Sequence, residues 1–439
     1  LSKYLNKVVT NPTYNKIRKD IWEISGKLPM SKHLRKIMRK TEEGIKGYLT
    51  PGALFEEFGL RYIGPIDGHD IEKLIYTLNA VKDMNTPVLV HVFTKKGKGV
   101  VSAEKDAIKY YSMGGINKNQ VSSTAPDYST VFGNSISQLA KHDEKIICVT
   151  AAMEIGTGMK PFVDQFPDRY IDVGIAEEHT IVYSSGLAAE GFKPVIPIYS
   201  TFMQRAYDYI FHDALLQKLP LIYCMDRAGI VGPDGPTHHG VFDIAFMRTF
   251  PDIIVSAPKD GNELRDLLYT ATNISKNFSI RYPKDTSYSY DINKKAEIIN
   301  VGEWEILVKG VDSLILAVGS MVGMLMDAKE HIVNKLGYTP TIVNARFIKP
   351  LDYNMIDKLS KQHSLIITIE EGVINGGFGS AISEYLHDKS LDNHLVRMGV
   401  PDKFIQHGNR EELLADIGLT PDGLINILKQ TMPEEIYEH

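Results

Sequence analysis

An α/β fold built on parallel sheets is predicted for this chain, and the order of its elements is the first reason. Short apolar runs, such as KIICVTA at 145–151 and LPLIYCMD at 219–226, alternate with helical stretches along most of the sequence. Strands that are apolar at nearly every position are typical of parallel sheets covered by helices on both faces. Length is the second reason, because 439 residues are too many for one hydrophobic core and sufficient for two or three domains.

Changes in pattern divide the chain into three stretches, which we predict to be part of one α/β domain and two complete ones. The first stretch covers residues 1–120 and opens with basic, helical sequence. The second, 121–300, and the third, 301–439, each repeat the order strand, helix, strand. A segment rich in Gly, Ser and Asn at 112–127 and a polar segment at 284–300 separate them.

Composition limits the partners that this protein can have. Its net charge of −5 gives no reason to expect nucleic acid or an anionic membrane as a partner. No apolar run approaches the length of a membrane-spanning helix. The two cysteines, Cys148 and Cys224, lie in apolar runs and are predicted to be buried strand residues without a disulfide. Cysteines without a disulfide fit a reducing compartment. We therefore expect the protein to be cytoplasmic, or to lie in a plastid if a transit peptide has been removed.

Two loops mark the first stretch. GLRYIGPIDGHD at 59–70 is rich in Gly, Pro and Asp and is followed by a predicted helix at 71–84. TPVLVHVFTKKGKG at 86–99 is predicted to be an apolar strand that runs into a loop containing Lys96. Ligands tend to bind at the carboxyl ends of strands in parallel α/β sheets, so we expect ligand contacts at this edge.

The hexapeptide GIAEEH at 174–179 contains a candidate acid–base residue, Glu177. It follows the apolar strand RYIDVGI at 169–175 and opens a helix predicted at 177–190. A carboxylate at the carboxyl end of a strand can be partly desolvated and can share a proton with a ring nitrogen. A plain acidic helix start explains the same residue, because glutamate is favoured in a first turn. The hexapeptide alone does not decide between the two interpretations.

The segment YSTFMQRAYD at 199–208 supplies aromatic and cationic candidates at a strand end and along the next helix, predicted at 202–217. Tyr199 and Phe202 can form an apolar wall for a heteroaromatic ring. Arg205 presents a planar fork suited to a phosphate or a carboxylate. Alternatively, Tyr199 and Phe202 pack in the core and Arg205 is a surface residue without a ligand. Arg281 in SIRYP ends a later strand and can join Arg205 in holding one phosphate.

The segment DRAGIVGPDGPTHHG at 226–240 is the most specific local feature. It directly follows a buried strand and is rich in Gly, Pro and Asp, so it must turn repeatedly and run over the surface. Histidine titrates near neutral pH, which suits His238 to proton transfer. Histidines of this kind can also bind zinc. Here only Asp234 and His239 are near enough in sequence to be further ligands, and no cysteine accompanies them, so a zinc site is not expected. Arg227 and Asp234 either pair with each other or contact a substrate.

Taken together and in this order, these segments resemble the 1-deoxy-D-xylulose-5-phosphate synthase family of transketolase-like thiamine-diphosphate enzymes. The likeness covers essentially the whole chain and is carried by YIGPIDGHD, TKKGKG with AEKD after it, FPDRYIDVGIAEEH, YSTFMQRAYDYIFHD, the loop at 226–240, RYP, and GGFGS at 376–380. It implies a transketolase-like α/β fold with parallel-sheet cofactor-binding domains and a smaller α/β C-terminal domain. It makes 1–120 the tail of the diphosphate-binding domain, 121–300 the pyrimidine-binding domain and 301–439 the C-terminal domain.

The resemblance also implies a reaction and its partners. Members of the family condense pyruvate with D-glyceraldehyde 3-phosphate, with loss of carbon dioxide, to form 1-deoxy-D-xylulose 5-phosphate. That product feeds isoprenoid, thiamine and pyridoxal phosphate biosynthesis. Thiamine diphosphate carries the chemistry while the protein supplies orientation and electrostatics. Magnesium would accompany the diphosphate, and a homodimer is expected.

Carried over to matching positions, the resemblance assigns roles to the residues named above. Glu177 and His238 would be catalytic, with Glu177 activating the pyrimidine ring of the cofactor. Further cofactor contacts would come from Phe202, Ile175 and Lys96. Substrate contacts would come from Tyr199, Arg205, Arg227, Asp234, His238 and Arg281, with Arg205 and Arg281 on the phosphate.

Two departures from the family pattern bear on activity. The signature GDG with a later Asn, which holds magnesium and diphosphate in the family, is not found in this sequence. The chain begins LSKYLNK, without an initiator Met or a signal-peptide pattern, so we expect a truncated or processed chain whose metal ligands lie in an N-terminal segment outside it. Second, Tyr111 stands where the family usually has a histidine. A phenol titrates at about pH 10, so proton shuttling at neutral pH is not expected of it.

Other interpretations share part of these observations. A transketolase or the β-type subunit of a 2-oxo-acid dehydrogenase would have the same fold and an activating glutamate. Both would be expected to lack the loop at 226–240 in this form. A non-catalytic paralogue or fragment is the alternative from a different class, and the missing diphosphate anchor supports it.

Overall fold

A computed structural model describes residues 52–107, residue 110 and residues 125–431. The chain divides into two compact units, Leu1–Val121 and Ser122–His439, which we name the first and the second unit. Tyr111 and nearly all of the linker predicted at 112–127 lie outside the described residues.

The first unit contains a pair of parallel strands. Its described elements are α1 Ala53–Glu57, β1 Arg61–Asp67, α2 Ile71–Val81, β2 Val88–Phe93 and α3 Val101–Lys105. The Asp70 carboxylate accepts a hydrogen bond of 3.0 Å from the Lys73 backbone N–H, which makes Asp70 the N-cap of α2. The helix predicted at 71–84 and the strand predicted within 86–99 are confirmed, as Ile71–Val81 and Val88–Phe93.

Strands and helices alternate through most of the second unit, as the sequence predicts. Its described strands are β3 Ile146–Thr150, β4 Tyr170–Asp172, β5 Lys193–Tyr199, β6 Ile222–Asp226, β7 Ile253–Ser256, β8 Asn277–Arg281, β9 Glu305–Val308, β10 Ser313–Ala317, β11 Thr341–Asn344, β12 Phe347–Lys349, β13 Leu365–Val373 and β14 His394–Val400. Its described α-helices are α4 Tyr128–Ala140, α5 Lys160–Gln165, α6 Glu177–Ala189, α7 Ser200–Met203, α8 Tyr207–Tyr209, α9 Asp243–Thr249, α10 Gly261–Asn273, α11 Ser320–Asp327, α12 Lys329–Leu336, α13 Tyr353–Leu359, α14 Phe378–Asp388, α15 Arg410–Asp416 and α16 Pro421–Thr431.

The larger sheet of the second unit has seven strands in the order β12-β7-β8-β6-β5-β3-β4. All neighbours are parallel except β12, which runs antiparallel to β7 at one edge. Every residue of β3, β6, β7 and β8 is buried, as expected for a sheet covered on both faces. The predicted parallel sheet is therefore confirmed.

The smaller sheet has five strands in the order β14-β13-β10-β11-β9. Its neighbours are parallel except the edge strand β9, which is antiparallel to β11. The antiparallel edge strands β9 and β12 are not predicted from the sequence. They have four and three residues, which is too short for a periodic pattern to identify them.

One apolar run is shared between the two sheets. The apolar run at 339–347 forms β11 in the smaller sheet and leads at once into β12 in the larger one. At the crossing, the Ala345 N–H donates to the Ala317 carbonyl at 2.8 Å, which belongs to the smaller sheet. The Ala257 N–H donates to the Arg346 carbonyl at 2.9 Å, which ties the chain to the larger sheet. The two sheets are thus joined through consecutive residues.

The helix predicted at 202–217 is not continuous. The structure has α7, a 3₁₀ turn at Gln204–Ala206, α8, and a π-helical segment at Ile210–Leu215. Changes of hydrogen-bond period of this kind often mark functional sites. Phe202 therefore lies in an α-helical turn and Arg205 in a tighter one.

Side-chain caps define the starts of two helices of the second unit. Asp127 at α4 and Asp260 at α10 accept hydrogen bonds of 2.6 and 2.8 Å from backbone N–H groups three residues further on. Each cap of this kind contributes about 1 kcal/mol to helix stability.

The cysteine prediction is confirmed. Cys148 in β3 and Cys224 in β6 are both buried and unpaired. Burial raises the pKa of each thiol well above its ordinary value, so neither is a reactive thiolate.

Across the part of the chain that the structure describes, no helix combines the length and the apolar character needed to cross a membrane.

Candidate active site

The predicted site residues of the second unit lie along one edge of the larger sheet. β4 leads into Glu177, β5 ends at Tyr199, β6 leads into Arg227 and β8 ends at Arg281. These strands are parallel, so their carboxyl ends share an edge. The neighbours β3 and β5 connect onward in opposite directions, toward β4 and β6, and ligands bind at such switch points.

Glu177 is a buried carboxylate at the start of α6. It is 2% exposed, and within the described part of the chain its Oε2 atom accepts no hydrogen bond. Its contact there is an ion pair with Arg205, whose Nη1 atom lies 3.0 Å from Oε2 without hydrogen-bond geometry. A buried carboxylate oxygen without a hydrogen-bond donor is costly, so it indicates a function in binding or catalysis. The same atom can accept a hydrogen bond from a protonated ring nitrogen.

Arg205 pairs with two carboxylates. Its Nη1 atom is 3.0 Å from Glu177 and its Nη2 atom is 3.5 Å from Glu178. The side chain is 51% exposed, so the guanidinium also faces solvent. The structure therefore places Arg205 beside the candidate acid–base residue, which the sequence did not indicate.

Tyr199, Phe202 and His238 form a ring cluster. The Tyr199 and Phe202 rings stack with centroids 5.8 Å apart and planes at 15°. The His238 ring meets Phe202 edge-on, with centroids 5.4 Å apart. The Arg227 guanidinium covers Tyr199 at 4.3 Å from the ring centroid. The predicted aromatic wall and the candidate proton-transfer histidine are thus in direct contact.

Arg227 is held by a network that the sequence analysis did not identify. Its Nη1 atom donates to Ser129 Oγ at 2.8 Å and lies 2.8 Å from Asp226 Oδ1. Burial raises the pKa of the Asp226 carboxyl, against the lowering effect of Arg227 and Ser129. Arg227 also has a φ of 60°, a left-handed conformation that is unusual for a residue with a side chain and is often found at functional sites. In the sequence, Asp226 is the first residue of the segment DRAG, and in the structure it is the last residue of β6.

The paired histidines have different surroundings. His238 is partly exposed, and its Nδ1 atom lies 2.9 Å from the Thr237 hydroxyl. His239 is 3% exposed; its Nδ1 atom accepts from the Val231 N–H at 3.1 Å and its Nε2 atom lies 3.2 Å from the Gln406 carbonyl. We infer that His239 holds the loop and that His238 is the residue free to face a substrate.

Asp234 binds Lys284 rather than Arg227. The Lys284 Nζ atom lies 2.5 Å from Asp234 Oδ2. Burial tends to raise the pKa of Asp234, but the hydrogen bond from Lys284 and the charges of Lys284, His238 and Arg227 keep it below its ordinary value. Asp234 therefore stays ionised near His238 at neutral pH.

Arg281 is buried and hydrogen-bonded within the fold. Its Nε atom donates to Asp243 at 2.7 Å, and its Nη2 atom donates to the Glu371 carbonyl at 2.9 Å. The side chains of Arg281 and Asp243 are 4% and 0% exposed. Arg281 and Arg205 therefore have different partners in the structure, and the phosphate site that they were expected to share stays a prediction.

Removing Arg281 is expected to destabilise the protein strongly. Arg281→Ala should lower the free energy of unfolding by about 3–5 kcal/mol, because Asp243 would be left as an uncompensated buried charge. Urea denaturation measures this. Lys160→Ala is the control, since Lys160 and Asp164 are 73% and 59% exposed and such pairs contribute at most about 1 kcal/mol. Equal effects of the two variants would contradict a structural role for Arg281.

Gly156, on the loop after β3, approaches Tyr199 closely. A Cβ atom added to Gly156 would lie 1.8 Å from the Tyr199 hydroxyl oxygen. No sequence pattern singled out Gly156, so this contact was not predicted. It places the loops after β3 and β5 together at the switch point of the sheet.

Gly156→Ala is expected to lower turnover about tenfold, because the added methyl group displaces the Tyr199 ring from Phe202 and Arg227. Tyr199 is a predicted substrate contact, and small displacements near the reacting atoms are costly. Steady-state kinetics, with thermal unfolding measured in parallel, tests this. Gly186→Ala is the control, since no atom lies within 4 Å of its added Cβ and alanine in a helix stabilises by about 0.5–1 kcal/mol. Unchanged kinetics in Gly156→Ala would exclude a role for the Tyr199 position.

Ile175 lies just before Glu177 and is 77% exposed. An apolar side chain this exposed, two positions from a buried carboxylate, offers surface to a ligand ring at the same sheet edge. The predicted cofactor contact of Ile175 stays a prediction.

Lys96 belongs to the first unit, where the two predicted loops lie together. The Lys95 N–H donates to His69 Nε2 at 2.7 Å, which joins the loop after β1 to the loop after β2. Hydrogen bonds from Lys95 and from the Gly99 N–H lower the pKa of Glu104 to about 2. Lys96 is exposed in the same loop. The first unit thus presents a lysine-rich edge at the carboxyl ends of its strands.

Within the described residues, no group of three or more His, Cys, Asp or Glu side chains is arranged to hold a metal ion. We therefore assign no metal ligand in this part of the chain.

The fold and the site define a class of enzyme, and known proteins match it. Residues 124–288 match the family model described as the transketolase pyrimidine binding domain, and residues 302–424 match the transketolase C-terminal domain. A solved structure titled "Split gene transketolase, inactive beta4 tetramer" is similar in fold, with a TM-score of 0.63 at 24% identity over 70% of this chain and 98% of that chain. The chain is a transketolase-like, thiamine-diphosphate-dependent transferase.

Sequence relatives define the family more narrowly. Residues 1–94 match the family model described as 1-deoxy-D-xylulose-5-phosphate synthase. Proteins of that name from Caldanaerobacter subterraneus and Aquifex aeolicus are 44% and 43% identical over 99% and 98% of this chain, which spans 70% and 69% of their lengths. The chain belongs to the 1-deoxy-D-xylulose-5-phosphate synthase family. A transketolase or a 2-oxo-acid dehydrogenase subunit is not favoured, because these relatives match nearly the whole chain.

Proposed function

We propose that this chain catalyses the decarboxylative condensation of pyruvate with D-glyceraldehyde 3-phosphate to 1-deoxy-D-xylulose 5-phosphate and carbon dioxide. Family membership supports this reaction. The observation that carries the proposal is the buried Glu177 Oε2 atom, which lacks a hydrogen-bond donor among the described residues. The product would supply isoprenoid, thiamine and pyridoxal phosphate biosynthesis.

Residues of the second unit fit the aminopyrimidine end of thiamine diphosphate. When bound, the cofactor supplies the carbon nucleophile for the keto carbon of pyruvate and accepts the electron pair left by carbon dioxide. Glu177 would share a proton with a pyrimidine nitrogen, which would give its Oε2 atom a hydrogen-bond donor. Phe202 and Ile175 would contact the ring through their apolar surfaces, and we propose Lys96 of the first unit as a further cofactor contact.

His238 is the proposed proton donor and acceptor at the reacting carbonyl oxygens. Its contact with Phe202 supports this role, because Phe202 is the proposed wall of the cofactor site. Tyr199, covered by Arg227, would also orient the substrate carbonyl.

Arg205, Arg227 and Arg281 are the proposed contacts of the substrate phosphate and carboxylate. The exposed guanidinium of Arg205 can reach an anion in solvent. The Arg227 side chain is 13% exposed, and its guanidinium lies over the Tyr199 ring. The buried pair with Asp243 makes Arg281 the least available of the three.

Magnesium, a homodimer and a cytoplasmic location complete the proposal. Magnesium would accompany the diphosphate of the cofactor. Apolar side chains that are 37–59% exposed on neighbouring helical segments support an interface between two copies of the chain: Val182, Tyr183, Tyr207, Tyr209 and Leu216. The two unpaired, buried cysteines support a reducing compartment.

The test is carbon dioxide release from pyruvate with thiamine diphosphate and magnesium, measured with and without D-glyceraldehyde 3-phosphate. The chain is assayed alone and mixed with the part of the Caldanaerobacter relative that it does not span. We expect release that depends on the aldehyde, with deoxyxylulose phosphate identified by mass. No product under either condition would contradict the proposed function and favour the non-catalytic alternative.

A further inference from the structure

The segment that carries His238 is a closed loop. Gly229 and Gly240 exchange backbone hydrogen bonds of 2.7 and 2.8 Å, so the two ends of the intervening segment meet. Residues 229–240 therefore form a compact Ω-type loop, which we name the histidine loop. A loop closed in this way can still move as a rigid body. The position of His238 therefore depends on the contacts between the histidine loop and the rest of the fold.

Two charged residues hold the backbone of the histidine loop at Ile230. The Ile230 N–H donates to Glu371 Oε1 at 2.7 Å, and Arg410 Nε donates to the Ile230 carbonyl at 3.0 Å. Glu371 and Arg410 also bind each other, with Oε2 and Nη2 2.7 Å apart. Glu371 lies in β13 and Arg410 opens α15, so both come from the C-terminal part of the chain.

Each of these two residues has a further partner that fixes it. Glu371 is 1% exposed, and its Oε2 atom also accepts from the Ser320 hydroxyl at 2.8 Å. Arg410 Nη1 donates to Asp285 at 2.9 Å. Hydrogen bonds between ionised groups are about twice as strong as neutral ones, and in a buried network they support one another. Glu371 and Arg410, which we name the anchor, are therefore each held by three partners.

Close packing joins the histidine loop to the same neighbours. A Cβ atom added to Gly229 would lie 2.4 Å from the Glu371 carboxyl carbon, so only glycine fits there. His239 contacts the Gln406 carbonyl, four residues before Arg410. Loop and anchor thus meet over several residues.

We propose that Glu371 and Arg410 are positioning residues, which hold the histidine loop so that His238 meets the reacting carbonyl. The inference rests on the proposed function, because it concerns the geometry of that reaction. Both residues act through the backbone of Ile230, and neither has a described contact with the ring cluster. A displacement of about 1 Å in a catalytic group can cost about 100-fold in rate, so a partial loosening of the loop is expected to be measurable.

Arg410→Ala tests this with a matched control. We expect kcat to fall about tenfold with KM for pyruvate changed less than about twofold, since the loop would act in the chemical step. Arg410→Lys keeps the charge but loses the Nε donor, and should recover part of the rate. The control is Arg346→Ala, because Arg346 is 14% exposed, binds Glu263 and Glu305, and has no described contact with the loop.

A double-mutant cycle separates positioning from a general loss of stability. If Arg410 acts through His238, Arg410→Ala should change kcat less than about twofold in the His238→Ala background, because coupled residues are not additive. A full tenfold loss in that background, or an equal loss in Arg346→Ala, would overturn the inference.

Hydrogen–deuterium exchange tests the anchor without relying on turnover. The peptide that contains Ile230 should exchange at least about tenfold faster in Arg410→Ala than in the unmodified chain, while the α10 peptide stays unchanged. Unchanged exchange at Ile230 overturns the inference. If the unmodified chain forms no product, the proposed function fails and the positioning role fails with it, whereas faster exchange would then show only a structural anchor.

Discussion

Replacing Glu177 by Gln is expected to lower kcat by about 10³-fold, the typical size of a lost acid–base group. Gln has the same shape but cannot take or hold the proton that the pyrimidine ring of the cofactor requires. The buried Oε2 atom, which accepts no hydrogen bond among the described residues, would become part of an amide that carries no charge. Deuterium exchange at the reactive carbon of the bound cofactor, followed by NMR, should slow in parallel with turnover.

Glu178→Gln is the matched control for this prediction. Glu178 is the next residue in the same helix, its side chain is 32% exposed, and it lies 3.5 Å from the same arginine. An exposed ion pair of this kind contributes at most about 1 kcal/mol, so kcat should change less than about fivefold. If Glu177→Gln kept its rate within tenfold, or if Glu178→Gln lost as much, Glu177 would not be the activating carboxylate.

Replacing His238 by Ala is expected to lower kcat/KM for the aldehyde by about 10²-fold or more, with the melting temperature unchanged. The side chain is partly exposed, and its contacts are Phe202 and the Thr237 hydroxyl, so its removal leaves little of the fold unsatisfied. A lost proton donor at the reacting carbonyl costs about 10²–10⁴-fold in rate. Steady-state kinetics with each substrate varied in turn measures the effect.

His239→Ala should show the opposite result. His239 is buried, and both of its ring nitrogens face backbone groups, so its loss leaves a buried N–H and a carbonyl without their partner. The expected cost is about 1–3 kcal/mol of stability, seen as a lower melting temperature. If His238→Ala destabilised the protein and His239→Ala left it stable but inactive, the roles assigned to the two histidines would be reversed.

The secondary structure around the site could be predicted because buried parallel strands are apolar at every position. KIICVTA and LPLIYCMD contain β3 and β6, in which all residues are buried. The helix predicted at 177–190 is confirmed as Glu177–Ala189. Parallel strands that end in polar motifs must present those motifs at one edge, so the order of motifs along the chain already grouped Glu177, Tyr199 and Arg227.

The partners of charged side chains could not be predicted, because they depend on distances between segments far apart in sequence. Arg205 pairs with Glu177, 28 positions away, and Arg281 pairs with Asp243, 38 positions away. The sequence indicated the two arginines as anion ligands but carried no signal for these carboxylates. The Gly156 contact with Tyr199 and the Glu371–Arg410 anchor are of the same kind.

By itself the sequence determined the fold class, the family and the candidate residues, because local apolar runs and ordered motifs are properties of the chain alone. Tertiary structure decided which candidates meet. It separated His238 from His239 by burial, left one Glu177 oxygen without a hydrogen-bond donor among the described residues, and buried Arg281 against Asp243. The physical reason is that the cost of burying a charge depends on its surroundings in three dimensions, which only the packed sheets define.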